Sequence, residues 1–441
     1  MKYQPYIFLF LIAASITMSI NSCSRVFEPN ALEDGAVTSP PILRGERGSQ
    51  TVVLFWNWLE LEFLDLNQNY ASPDKFQILT SDTDPNDWEI LDEVNTDQSV
   101  YTIEGLENGK IYYFAIRAIS QSGQSSLSNK IMIMPDELEE IEPVFSTHEI
   151  NRSWGSWSPN GQSITYESMI PPGSLSSYDT TPGIYTYNLF TGEEKLIAEG
   201  SKPDWSPDGS RIAFHRENNQ LSSPSASKIT QLFSYDLDNS FLVSLNSPMG
   251  FNHQVSWSND GKKLLFLSDA NSSNAYQIHQ LSVEPGTFAN VVYSSSITYR
   301  GQQNPDVISL RTPIWGLDDQ SIIFSEFTEN YQATQRQLYT FSLNSNTSQP
   351  LFTSSWNDES PAYSPNGEYL AFISNRSGDK AIWLYHIPTA TYRQVTGFSH
   401  ITPNSAQIRE KLAWSPMGNK ILFTAPFENT NHLTLFTVTV F

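Results

Sequence analysis

The sequence holds a single cysteine, Cys23, among 441 residues, so no intramolecular disulfide framework can form. Cations are scarce as well. Against 47 Asp and Glu stand only 25 Lys and Arg, a formal charge of −22. An acidic surface of that size repels phosphate backbones, which argues against nucleic acid as a partner. It repels anionic lipid headgroups too, so attachment to a membrane should be covalent. Beyond residue 22 no apolar run is long enough to cross a bilayer. The usual catalytic signatures are missing: there is no Gly-x-Ser-x-Gly elbow, no phosphate loop and no Gly-x-Gly-x-x-Gly. His148-Glu149 opens like a zinc-protease helix, but Arg152 stands where the second His belongs. The seven His are scattered, and neither a metal nor another cofactor is expected.

Apolar and aromatic residues, by contrast, are abundant, at 39 % and 13 % of the chain. That is ample for packed cores, and a chain this long should form two or three domains. Gly and Pro punctuate often and long helical patterns do not occur, which points to an all-β protein. The chain opens with Lys2 and an apolar stretch from Tyr6 to Ile20. At about 15 residues this stretch has the length of a signal-peptide core, not of a spanning helix. It ends in Ile20-Asn21-Ser22-Cys23, which resembles a bacterial lipobox. The resemblance implies cleavage before Cys23 and diacylglycerol on its sulfur. Residues 1–22 are then a lipoprotein signal peptide and 23–39 a polar, flexible tether. The mature protein would be anchored by lipid alone, in the cell envelope and by analogy at the outer membrane. Which side it faces is left open.

Residues 40–135 read as short strands separated by turns. Thr51–Trp56, Phe76–Thr80, Val100–Ile103 and Ile111–Ala118 are β-branched and aromatic, and Asp82–Asp87, Glu107-Asn108-Gly109 and Ser122-Gly123 punctuate them. Such spacing predicts a β-sandwich. At Leu106, Gly109, Tyr112, Phe114, Ile116 and Ala118 the region resembles a fibronectin type III domain. The resemblance implies a tyrosine corner, with Tyr112 bonding back to the chain near Leu106, and gives Trp56 the place of the core Trp. The acidic run Pro135–Glu142 is a plausible domain boundary.

One motif then recurs six times across 143–441: Trp157-Ser-Pro-Asn-Gly161, Trp205-Ser-Pro-Asp-Gly209, Trp257-Ser-Asn-Asp-Gly261, Trp315-Gly-Leu-Asp-Asp319, Tyr363-Ser-Pro-Asn-Gly367 and Trp414-Ser-Pro-Met-Gly418. The aromatic residues lie 48, 52, 58, 48 and 51 residues apart, and each motif is followed by an apolar strand. A period of this size with several strands per unit predicts a six-bladed β-propeller. Pro-Asn/Asp-Gly makes each motif a tight hairpin, and its Trp should fill the gap between adjacent blades. Only five outer strands are found for six units. Pro143–Ser146 is the expected sixth, closing the ring against the last unit. These repeats resemble those of the TolB propeller family, most closely at Tyr363–Gly367, Ser374-Asn-Arg-Ser-Gly378 and Ile382–Tyr385. The resemblance implies binding of envelope proteins.

A propeller's usual site is the channel mouth. Four positions before each repeat aromatic stand Ser153, Ser201, His253, Arg311, Glu359 and Glu410. If the units align, these form a ring with a basic side (His253, Arg311), an acidic side (Glu359, Glu410) and Arg152 adjacent. The expected function is noncatalytic binding or scaffolding of an envelope protein or peptide segment. The alternative is glycan binding, or glycan or peptide processing, at the same mouth, for which Glu359 and Glu410 would have to stand close together.

Overall fold

The computed structural model describes residues 40–58, 73–121, 123–136, 141–146, 150–169, 182–217, 229–270, 276–283, 290–294, 307–329, 334–397, 408–427 and 432–441. The signal segment, Cys23 and the tether lie outside the described residues, as does the apolar loop after Trp58. All regular structure among the described residues is β-strand.

Two sheets form the first unit. One holds three strands, Ile42–Gly48, Thr51–Asn57 and Val100–Glu104. The other is built on Glu89–Asn95, Lys75–Ser81 and Tyr112–Ser120, with Gly123–Gln124 and Ile131–Ile133 both pairing to the last of these. Burial along Thr51–Asn57 alternates strictly, so Val52, Leu54 and Trp56 face inward. They meet Phe76, Ile78, Phe114 and Ile116 from the other sheet. Trp56 packs edge-on to Phe76, ring centroids 5.9 Å apart. The Tyr112 hydroxyl accepts a 3.2 Å hydrogen bond from the Glu107 amide, beside partly buried Leu106.

Six four-stranded antiparallel sheets follow. Their inner strands are Arg152–Trp157, Ser201–Trp205, Asn252–Trp257, Val307–Trp315, Asp358–Tyr363 and Arg409–Trp414, numbered here sheets one to six. Each inner strand neighbours the next, and the sixth neighbours the first, so the circuit closes. Sheet six takes its outer strand from Ile141–Pro143, which pairs with Leu433–Thr439. The pairing thus begins inside the acidic run, two residues ahead of the segment expected from the sequence. Val144 and Phe145 pack beside the paired strand, against Ile164, Tyr166, Leu422 and Leu435 between sheets six and one.

The repeat tryptophans wedge between sheets as their positions predict. Indole N–H groups of Trp157, Trp257, Trp315 and Trp414 donate to the carbonyls of Ala413, Asp204, Ser256 and Ala362, each on the preceding inner strand. Trp205 differs and donates to Gly209 in its own turn.

The first unit docks on sheet five. The loop Asn375–Asp379 presents the Arg376 and Ser377 carbonyls to the Met132 and Gly45 amides, at 2.5 and 3.2 Å. Gly378 has a φ of 100°. A Cβ there would also come within 2.8 Å of the Arg44 Cα, so the close approach needs glycine. Arg376 itself is buried. Its Nη2 lies 2.8 and 2.9 Å from the Asp358 oxygens, its Nε donates to Ser374, and the rings of Trp356, Phe372, Trp383 and Tyr392 surround it within 5.5 Å. Nearby, Arg47 donates to the Val395 carbonyl at 2.8 Å.

Candidate functional site

Five inner strands break register just after the position singled out from the sequence, and in the sixth the break begins one residue earlier and takes in Glu410. The shifts fall between Ser153 and Ser156, Ser201 and Asp204, His253 and Ser256, Arg311 and Ile314, Glu359 and Ala362, and Arg409 and Ala413. In five sheets the next residue has positive φ: Trp154, Lys202, Gln254, Thr312 and Ser360, from 46° to 59°. A bulge of this kind bends the strand and re-aims side chains. It also frees an amide, and four of these amides are caught by the sheet before. Trp154 donates to Thr424, Lys202 to Glu167, Thr312 to Gln254 and Ser360 to Ser325, at 2.8 to 3.2 Å.

The six ring residues therefore meet different fates. Ser153 is buried and donates to Glu167 at 2.8 Å. Ser201 is half-buried. His253 is buried among Phe251, Tyr276 and His215. Burial, with the charges of Lys202, His215 and Arg311, holds its imidazole well below the ordinary histidine range. Arg311 is exposed and has no ion pair among the described residues. Glu359 is held by two cations, Arg336 at 3.0 Å and Lys380, so its partners come from sheets four and five and not from Arg311. The Glu410 side chain lies outside the described residues. Arg152 is buried 4.2 Å over the Phe145 ring and 3.7 Å from Glu194. Among the described residues, Glu359 forms no ion pair with His253 or Arg311.

The polar centre that does form is built one to three residues further along the inner strands. Asp204 on sheet two accepts from Ser156 of sheet one and from the Trp257 amide of sheet three, both at 3.0 Å. Lys411 of sheet six pairs with the same carboxylate. Sheets six and two are not neighbours in the ring, so this ion pair passes over the inner strand of sheet one. Lys202 lies 4.7 Å over the Trp154 ring of sheet one, the residue at the same position of the neighbouring bulge. Sequence reading missed Asp204, Lys202 and Lys411. The signal available was their offset from the repeat aromatic, but a bulge changes what an offset means.

Among the described residues no three His, Cys, Asp or Glu groups come together to hold a metal ion. Asp236 accepts the Asn239 amide at 2.8 Å in a turn.

No family model matches the chain. It is 34 % identical over 122 residues to dipeptidyl-peptidase 5 of Porphyromonas gingivalis, covering 26 % of this chain and 17 % of that one. It is 36 % identical over 81 residues to the Tol-Pal system protein TolB of Alcanivorax borkumensis, covering 18 % and 15 %. The chain thus spans about a sixth of the length of the curated relatives it matches. The solved TolB of Acinetobacter baumannii overlays it at 13 % identity and a TM-score of 0.39, over 81 % of each chain. The repeated sheets make the second unit a β-propeller in an all-β chain, and part of it is similar in sequence to TolB.

Proposed function

We propose that this chain is a lipid-anchored envelope protein in which a fibronectin type III-like sandwich holds a six-bladed propeller, and that the propeller binds a protein partner and catalyses nothing. One observation carries this reading. At the mouth Glu359 is neutralised by two cations and Asp204 pairs with Lys411 across sheet one, while Arg311 stays exposed in a chain of charge −22. A rigid face with a free cation suits an acidic peptide segment of another envelope protein, which long-range attraction would steer to it. The lipobox, the Tyr112 corner bond and the TolB likeness support the same reading. The glycan-binding or glycan/peptide-processing alternative has less to stand on, since Glu359 is committed to Arg336 and Lys380.

The test is affinity purification of the full-length protein from detergent-solubilised envelopes, followed by mass spectrometry. A defined protein set should co-purify with the wild type and with a Lys262→Glu control, and should drop away with Arg311→Glu. Equal capture by Arg311→Glu would overturn the assignment of the mouth.

A further inference from the structure

Three consecutive sheets carry basic side chains at one level of the mouth. His253 and Arg311 are the ring residues of sheets three and four, each just ahead of its register break. In sheet two the ring residue is the small Ser201, which pairs in register with His215, and Lys202 follows it at the bulge. The two imidazoles stand 6.4 Å apart, centroid to centroid, across the gap between sheets two and three. Tyr276 meets the His253 ring edge-on at 4.6 Å, and Phe251 packs beside it at 4.8 Å.

These imidazoles are buried but not satisfied. Each histidine is 6 % exposed, yet neither ring nitrogen of His253 makes a hydrogen bond, nor does Nδ1 of His215. A buried polar atom left unpaired is costly, and a water or an ion that completes it is the usual remedy. The charges that reach the pair are all positive. Lys202 acts on both rings and Arg311 on His253, and together with burial they keep the imidazoles neutral. Each neutral ring still carries one N–H to give. Asp269, the acid that reaches Tyr276, has an oxygen taken by the Phe251 amide at 2.7 Å. Among the described residues no carboxylate pairs with Arg311 or with either imidazole, so the sector is rich in donors and short of an acceptor.

We propose that this sector is an oxyanion pocket, and that it takes a side-chain carboxylate of the acidic segment that binds the mouth. The carboxylate accepts an N–H from His253 and from His215 and lies in the field of Lys202 and Arg311. A metal cation would be repelled by the same two charges, and two imidazoles are fewer ligands than zinc takes. The inference rests on the binding reading above and adds the group that is recognised.

The experiment is calorimetric titration of the full-length protein in detergent with hexaglutamate, hexaglutamine and inorganic phosphate. Hexaglutamate should bind and hexaglutamine should not. His253→Phe keeps the ring packing and removes both nitrogens, so its affinity for hexaglutamate should fall about tenfold or more, as expected for loss of a hydrogen bond to a charged group. Its melting temperature should be unchanged or raised, because unpaired buried nitrogens have gone. His215→Phe reads the same loss at a second position. Undiminished binding by both variants would overturn the pocket, and if Arg311→Glu still loses hexaglutamate the mouth itself stands. Loss in His253→Phe, with envelope capture intact in Arg311→Glu, would keep the pocket and remove the mouth assignment instead. Phosphate binding tighter than hexaglutamate would overturn the choice of a carboxylate, and no hexaglutamate binding at all would end the proposal.

Discussion

The two ends of the six inner strands close the ring by different chemistry. At the turn end one device repeats. In four of the six turns the glycine packs against the proline of the preceding turn: a Cβ would lie 3.6 Å from Pro159 at Gly209, 3.4 Å from Pro207 at Gly261, 3.6 Å from Pro365 at Gly418 and 3.8 Å from Pro416 at Gly161. The last contact joins sheet one to sheet six. Within each turn the serine after the aromatic accepts an amide five residues on, as Ser206 does from Arg211 at 2.9 Å. At the bulge end nothing repeats except the backbone. The freed amides find a threonine, a glutamate, a glutamine and a serine. The lesson is that a local rule can be copied from sheet to sheet, while a bulge needs only some acceptor within reach and so tolerates different side chains.

Sheet four shows how strict the turn rule is. Its degenerate motif has Gly316 for serine, and a Cβ at Gly316 would fall 2.0 Å from the Ser321 hydroxyl. The hydroxyl has changed strands, not vanished. Asp319 stands where glycine belongs, and Asn259 of sheet three stands where proline would meet it. The Asp319 carboxylate accepts from the Asn259 and Asp260 amides, at 2.9 and 3.0 Å, and from the Asn259 side chain. Both departures are compensated pairs.

The largest effect should come from breaking the bulge end at sheet five, where the inner strand begins. Asp358→Ala leaves Arg376 buried and unpaired, which costs about 3–5 kcal/mol. Because the Arg376 carbonyl also holds Met132, proteolysis should nick the junction between the two units sooner. Urea unfolding and limited trypsin digestion measure both, and an unchanged urea midpoint would show that the aromatic rings alone carry this corner.

Acid should separate the two ends next. His215 pairs in register with Ser201, beside the bulge of sheet two. Burial, with the Lys202 charge adding to it, pushes its imidazole down to about 3. An unfolded histidine titrates near ~6.5. The unfolded chain therefore takes up the proton first, so stability is full above that pH and is lost as pH falls toward the folded value. The loss amounts to roughly 2 kcal/mol at about pH 5. The turn end behaves otherwise. The Ser258 hydroxyl holds the Asp260 carboxyl below its ordinary value, so its contribution persists until pH falls through that lowered value. His215→Phe should flatten the dependence of the urea midpoint between neutral pH and pH 5, and an equally steep dependence would place the acid-sensitive group elsewhere.

The smallest effect sharpens the comparison most. Asp319→Gly should cost about 1 kcal/mol through the lost amide bonds, and Asn259→Pro a similar amount. Made together they install the Pro-against-Gly contact seen in the other turns. The double variant should then be more stable than the sum of the single changes by ~1 kcal/mol. Strict additivity in thermal unfolding would mean that the two turns do not communicate.

Much of this was legible from single motifs. The hairpins and the tryptophan wedges follow from residues that lie close in the chain or from the period at which they recur, and the Tyr112 bond from the resemblance to fibronectin type III domains. The candidate ring was legible only as a level in the strands. Lys411 and Asp204 are 207 positions apart and share no motif. Arg376 reads as a polar loop residue, and only the four surrounding rings and Asp358 make it a buried anchor.

By itself, then, the sequence determined the β-strand content, the hairpin turns, the number of repeats and the wedging aromatics, because turn chemistry and side-chain alternation act within a few residues. Tertiary structure decided the rest: which side chains meet across the inner strands, which sheet the first unit docks on, and which cations each carboxylate finds. Those outcomes depend on a bulge that shifts each strand's facing and on surfaces that touch only after the ring has closed, and neither distance nor burial is written in residue order.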